Sequence, residues 1–138
     1  MYSNQKGIEP FQIYHKENQF RLRFKRIINS NYKDQSLKVS DIAAALSMSE
    51  RQLSRNTQRY YKVSPTQYLR RYRIEKAQML LFLGYRISDV AMEVGFSSLS
   101  YFSLNFKAEF GCSASTYFRR IRDELDKIYV RDTNSHFE

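Results

Sequence analysis

Cysteine is nearly absent: Cys112 stands alone among 138 residues. No internal disulfide can form and no cysteine-based zinc cluster can be built, which fits a reduced, cytoplasmic setting. Proline and glycine are also scarce, at two and four residues. That composition argues against the many tight turns of a β-sandwich and favours helices. The longest apolar run, MLLFL at 79–83, is far too short to cross a membrane. The opening stretch MYSNQKGIEPFQIYHKENQF lacks the apolar run of a signal peptide. Only two histidines occur, His15 and His136, with no cysteine or carboxylate at metal-ligand spacing. No catalytic set is present; no cofactor is expected, and the chain does not read as an enzyme.

What remains is hydrophobic at 42% and aromatic at 15%, enough for one folded domain and too much for wholesale disorder. The formal charge is +9 and unevenly placed. Residues 1–87 hold 17 Lys and Arg against 6 Asp and Glu, a net +11, whereas residues 88–138 hold 6 against 8, a net −2. A strongly basic half points to a polyanion partner, nucleic acid or an anionic membrane surface. A merely solvated basic surface remains the plain alternative.

The chain also repeats itself. SDIAAALSMSERQLSRNTQRYYKVSPTQYL (40–69) aligns with SDVAMEVGFSSLSYFSLNFKAEFGCSASTYF (88–118). Ser40, Asp41 and Ala43 match Ser88, Asp89 and Ala91 at a shift of 48; past one inserted residue, Ser54, Asn56, Ser64 and Tyr68 match Ser103, Asn105, Ser113 and Tyr117 at 49. Two copies of one supersecondary unit explain this order of caps and apolar positions. Each unit reads as helix, tight turn, helix. Ser40 and Ser88 are the expected N-caps of the first helices, and Ser49 with Gln52 suggests a capping box for the next. Ile42, Ala43 and Leu46 face inward in the first unit, followed by Leu53, Thr57, Tyr60 and Tyr61. Val90, Ala91 and Val94 do so in the second, followed by the stripe Phe102, Phe106, Phe110. Gly95 falls where the turn needs positive φ, and Gly111 where a helix ends.

Between the units, Ser64-Pro65-Thr66-Gln67 starts a long helix with an N-cap, proline at the first helical position and a capping glutamine. Leu69, Tyr72, Lys76, Ala77 and Leu80 share one of its faces, and Gly84 can end it. Ahead of the first unit, Phe20, Phe24, Ile27 and Ile28 mark an amphipathic roofing helix; after the second, Phe118, Ile121, Leu125 and Ile128 mark another. The expected organisation is a linker or disordered tail at 1–18, a first helix-turn-helix subdomain at 19–64, a connecting helix at 65–84, a second subdomain with its C-terminal helix at 85–130, and a disordered tail at 131–138.

DIAAALSMSERQLSR (41–55), LRRYRIEKAQMLL (69–81) and DVAMEVGFSSLSYFSLNFKAEFGCS (89–113), in that order, resemble the DNA-binding domain of the AraC/XylS family of bacterial transcription regulators. The resemblance covers roughly residues 20–122. It implies an all-α, seven-helix fold: a homeodomain-like pair of helix-turn-helix subdomains joined by a long central helix, each placing its second helix in the major groove. It further implies promoter or operator double-stranded DNA as partner, RNA polymerase as a contact of activators, and a nucleoid-associated location in the cytoplasm, with no membrane partner. A sensor, receiver or dimerisation domain would be missing if the chain is a C-terminal fragment, a reading the linker-like residues 1–18 favour over a stand-alone regulator. The chain departs from the family pattern at Thr57, Lys62, Ala114 and Leu104, where an aromatic, glycine, proline and, in many members, arginine are usual.

Arg51, Ser54 and Arg55 lie opposite the inward residues of the first recognition helix, and Arg51 and Arg55 point the same way as i, i+4 neighbours. Arginine can pair bidentately with guanine, and the resemblance puts these three at base-reading positions. Arg59 and Lys62, a turn further on, suit phosphates, as do some of Arg70, Arg71 and Arg73, although one of these could instead pair with Glu75 or Asp41. The matching base-reading positions of the second unit are Leu99, Ser100, Ser103 and Leu104, with Lys107 placed for phosphate. Serine hydroxyls read bases weakly, and leucine offers only apolar contact, as with a thymine methyl. The second unit therefore reads as the weaker arm, adding affinity and register, or else as a protein-docking surface. Two rivals to specific DNA reading stay open: a helical protein-interaction module and a non-specific polyanion binder.

Overall fold

The computed structural model describes residues 10–135, at positions 11 and 13 by backbone alone. Seven α-helices and no strand occur among them: α1 (Pro10–Asn31), α2 (Val39–Ala45), α3 (Glu50–Tyr61), α4 (Pro65–Phe82), α5 (Ile87–Glu93), α6 (Leu99–Phe110) and α7 (Ala114–Ser135). The chain divides into two compact units. The first takes in α1, α2 and α3; the second holds residues 32–36 together with α4 beyond Pro65, α5, α6 and α7. Among the described residues no helix is long and apolar enough to cross a membrane.

The repeat is real at the level of backbone. α2 and α5 begin and end 48 residues apart, and α3 and α6 begin and end 49 apart. In the turns, Ser47 and Gly95 both have positive φ, at 55° and 96°. Met48 N–H donates to Ala43 C=O and Phe96 N–H to Ala91 C=O, so the inserted residue is Ser97, just before the cap of α6. Ser49 Oγ accepts from Gln52 N–H and Ser98 Oγ from Tyr101 N–H, each at 3.1 Å. Both helices end on a left-handed residue, Lys62 at φ 60° and Gly111 at φ 74°.

In the first unit, Phe20, Phe24 and Ile28 of α1 are buried with Ile42, Ala43 and Leu46 of α2 and Leu53 of α3. Ring contacts continue the packing, Phe20 with Tyr60 at 5.5 Å and Phe24 with Tyr61 at 5.8 Å. Thr57, a small polar residue on the inward face, is fully buried because its hydroxyl donates to Ser54 C=O at 3.2 Å, leaving its one donor satisfied. In the second unit, Ile74, Ala77 and Leu81 of α4 bury against Val90, Ala91, Val94, Phe96, Phe102 and Phe106.

Several expectations change here. Ser40 and Ser88 are not N-caps; both helices start two residues earlier than such caps imply, at Val39 and Ile87, after Lys38 and Arg86. In α2 the reason is Asp41, whose Oδ2 accepts Lys38 N–H at 2.9 Å and so satisfies the helix start from inside. In α4 the buried positions are Leu69, Arg73, Ala77 and Leu81, an unbroken i, i+4 rail with Ile74 beside it; Lys76 and Leu80 are only half-buried. The polar Arg73 hid the rail. It is 7% exposed, donating Nε–H to Tyr32 C=O at 2.7 Å and its terminal N–H to Asp34 C=O at 2.8 Å. Gly95 makes this junction possible, since a Cβ there would overlap Tyr32 O and lie 2.8 Å from Arg73 Nε.

The tails are corrected as well. Residues 10–18, expected as linker, belong to α1, whose proline sits at the first helical position where it is tolerated; Glu17 of this stretch bonds Arg59. With it goes the linker argument for a fragment. Residues 131–135, expected as a disordered tail, continue α7, with Thr133 Oγ1 returning to Tyr129 C=O at 3.1 Å. Residues 1–9 and 136–138, including His136, lie outside the described residues.

Candidate nucleic-acid interface

The outward side of α3 is built by its inward side. Leu53 and Thr57 anchor the helix, which turns Arg51, Ser54, Arg55, Gln58 and Arg59 to solvent. These five and Lys62 line one open concavity of the first unit, four of them cationic and none acidic. Ser49 fixes where the helix starts and the left-handed Lys62 where it stops. The guanidiniums of Arg59 and Arg21 both lie over the Tyr60 ring, at 5.5 and 5.0 Å from its centroid, within cation–π range. Arg59 also pairs with Glu17 at 3.0 Å.

Gln58 was missed from the sequence. It stands four residues after Ser54 and seven after Arg51, so the helical period alone would have placed it on the same face. Its amide is a donor–acceptor pair of the kind that suits adenine.

The outward side of α6 is the counterpart with different chemistry. Phe102 and Phe106 are fully buried, with ring centroids 5.8 Å apart and Phe110 4.6 Å beyond Phe106. That stripe leaves Leu99, Ser100, Ser103, Leu104 and Lys107 exposed. Leu104 is 68% exposed and stands where α3 carries Arg55; Ser100 stands where α3 carries Arg51.

The arginines of α4 separate into different roles. Arg73 pairs with neither Glu75 nor Asp41 and is unavailable to a ligand, held by two backbone carbonyls. Burial pushes its guanidinium pKa down, and the nearby Asp34 carboxylate partly offsets this. Arg71 is exposed and pairs with Glu109 of α6 through Nε at 3.4 Å. Arg70 is half-buried beside it, in a concavity that also includes Asn105 and Glu109. The sequence set brought together by the fold is thus Arg51, Ser54, Arg55, Arg59 and Lys62 in the first unit. Leu99, Ser100, Ser103, Leu104 and Lys107 share α6 in the second, where Arg70 and Arg71 lie on α4.

A helix-turn-helix domain family matches residues 42–120. The virulence regulon transcriptional activator VirF of Yersinia enterocolitica is 32% identical over 115 residues, covering 83% of this chain and 42% of VirF. The chain therefore spans about two fifths of the length of this curated relative. Among solved structures, the C-terminal domain of AraT, a response regulator from Geobacillus stearothermophilus, is 30% identical with a TM-score of 0.67, covering 72% of this chain and 83% of that one. The DNA-binding domain of the transcriptional factor AdpA, solved with a target DNA, shares the fold at a TM-score of 0.67 and 24% identity, covering 74% of this chain and 95% of that one. Two helix-turn-helix units with one repeated frame, a cationic helix face and these likenesses agree: the chain belongs to the AraC-type helix-turn-helix family and is the DNA-binding domain of a transcription regulator of that kind.

Proposed function

We propose that this domain binds double-stranded promoter or operator DNA sequence-specifically, reading two successive major-groove segments with α3 dominant and α6 subordinate. The carrying observation is the concavity along α3, lined by four cations and no acid, at the positions that in α6 present a neutral Leu/Ser face. Arg51, Ser54 and Arg55 read bases, Arg51 and Arg55 as bidentate partners of guanine, with Gln58 as a further reader. Arg59, Lys62, Arg70, Arg71 and Lys107 hold phosphates. Leu99, Ser100, Ser103 and Leu104 supply hydroxyl and apolar contacts that add affinity and register. The AdpA domain holding its target DNA supports the choice of partner. We further propose activation through RNA polymerase, and a separate sensor, receiver or dimerisation domain if the chain is part of a longer regulator; the likeness to a transcriptional activator, VirF, of which the chain spans 42%, supports this reading.

The test is selection of binding sites from random DNA with the purified chain, followed by titration of the selected and scrambled sites across a salt series. Specific binding at least ~10³-fold tighter than non-specific supports the reading. Equal affinities with a steep salt slope would make the chain a non-specific polyanion binder, and no DNA affinity would leave a protein-interaction module.

A further inference from the structure

The last turns of α7 have no cover within their unit. Phe118 and Ile121 are half-buried, and Phe118 packs on the second unit's core. The next residues of the same stripe, Leu125 and Ile128, are 45% and 55% exposed, and Tyr129 beside them is 73% exposed. The sequence expectation that all four apolar residues pack inward is therefore half right. Where the stripe leaves the core it borders an open cleft of about 380 Å³, whose walls include Phe82, Tyr85, Ile121 and Leu125 with Arg122. Phe82 and Tyr85 are exposed too. A contiguous apolar surface of this kind marks an interaction site.

The spacing and charges say what covers it. Phe118, Ile121, Leu125 and Ile128 follow one another at three, four and three residues, the a and d positions of two heptads. With Phe118 at a, Arg122 and Tyr129 fall at e, and Glu124 and Arg131 at g. An antiparallel two-fold pairing sets a against d, e against e and g against g. Leu125 then meets the partner's Ile128, Glu124 meets the partner's Arg131, and Arg122 meets the ring of the partner's Tyr129. Each contact occurs twice, as a self-complementary interface requires. Glu124 already pairs with Lys127 along the helix at 2.8 Å, so the incoming arginine completes a three-member ion network. By the same rule Asp132 meets the partner's Ile121 at the end of the seam, whereas a parallel pairing would press Asp132 against its own copy, a like-charge arrangement that disfavours it.

We propose that a second copy of this chain docks on α7, antiparallel across a two-fold axis, with Leu125 and Ile128 at the centre and Glu124 and Arg131 setting the direction. The seam from Ile121 to Asp132 is about 16 Å long at ~1.5 Å per residue, short of what an interface of ~800 Å² per partner needs. The dimer is accordingly weak, with a dissociation constant of about 10–100 µM, and fills when two copies share one DNA and their effective concentration rises.

Sedimentation equilibrium of the intact chain over roughly 5–500 µM tests this. The average mass is expected to climb from 16.6 kDa toward twice that value. A chain carrying both L125E and I128E, whose native side chains are exposed, should stay monomeric with an unchanged melting curve. E124R alone and R131E alone should each weaken the dimer several-fold, and the two together should restore it. A wild-type chain that stays monomeric throughout would overturn the proposal and leave the stripe to another protein or to a further segment of a longer chain. Association that survives L125E with I128E, or a charge-swapped pair that fails to recover, would overturn it equally.

Discussion

Replacing Gly95 by alanine is expected to damage the second unit more than either comparable glycine. At φ 96° an L-residue carries the left-handed penalty of roughly 1–2 kcal/mol. The added Cβ would also overlap Tyr32 O and sit 2.8 Å from Arg73 Nε. Those two atoms form the 2.7 Å bond that ties the 32–36 segment to α4, so neither can retreat without breaking it. A hydrogen bond to a charged group contributes about 1.5–3 kcal/mol, more where the charge is left buried. The combined cost is about 3–5 kcal/mol, a large share of the ~5–15 kcal/mol that holds a domain together. Gly84 and Gly111 are controls: both have positive φ, at 93° and 74°, but a Cβ at either meets nothing within 4 Å. Their alanine variants pay only the backbone strain, offset by the ~0.4–1 kcal/mol gained from a less flexible unfolded chain. Urea unfolding followed by far-ultraviolet circular dichroism measures all three. If Gly95→Ala costs no more than Gly111→Ala, the close approach of Gly95, Tyr32 and Arg73 is not what holds this unit.

The remaining expectations concern the recognition helices. Arg55→Ala should lose roughly 1–3 kcal/mol of specific binding and relax preference at one base position; a uniform loss on all sequences would make Arg55 a phosphate anchor. If α6 is the subordinate reader, as proposed, Leu104→Ala should change specific affinity little, and a loss as large as that of Arg55→Ala would refute that ranking. Lys62→Gly separates fold from function at one site. Relief of the left-handed φ of 60° should raise stability by about 0.5–1 kcal/mol, while the slope of log affinity against log salt becomes shallower by about 0.9. A stability gain with an unchanged slope would remove Lys62 from the phosphate set.

Legibility followed burial. Four apolar pairs of the repeat, Ile42 and Val90, Ala43 and Ala91, Leu46 and Val94, Leu53 and Phe102, are buried, and a core position must recur at the helical period to stay inside. Those residues gave up the helices and the turns to pattern alone, as did the serine cap at 49; the matching cap at Ser98 went unread. Failures came where a polar side chain did structural work. Arg73 belongs to a buried rail but looks like one more surface cation in LRRYR, and only the backbone carbonyls of Tyr32 and Asp34 reveal its task. Asp41 displaced Ser40 as the helix start because a carboxylate at the third position reaches back to Lys38 N–H. Gln58, exposed and uncharged, carried neither the apolar nor the cationic signal and so joined the α3 face unnoticed, although the helical period sets it beside Ser54.

This split between buried and exposed bears on what the domain can recognise. The segment 88–111 carries the marks that identify the family: Gly95 wedged against Tyr32 and Arg73, Phe96 beneath it, and the Phe102–Phe106–Phe110 stripe. All of that chemistry is spent inward, on packing. Its outer face offers Lys107 as the one cation on α6, and Glu109 is paired to Arg71. α3 inverts the allocation: its inner face needs only Leu53 and Thr57 fully buried, and its outer face is free to hold Arg51, Arg55 and Arg59 in one concavity. Selection for a new operator can therefore act on the outer residues of α3 without disturbing the core. Exchanging Ser100 and Leu104 for the arginines of the matching α3 positions should turn the second arm into a strong reader at little cost in stability.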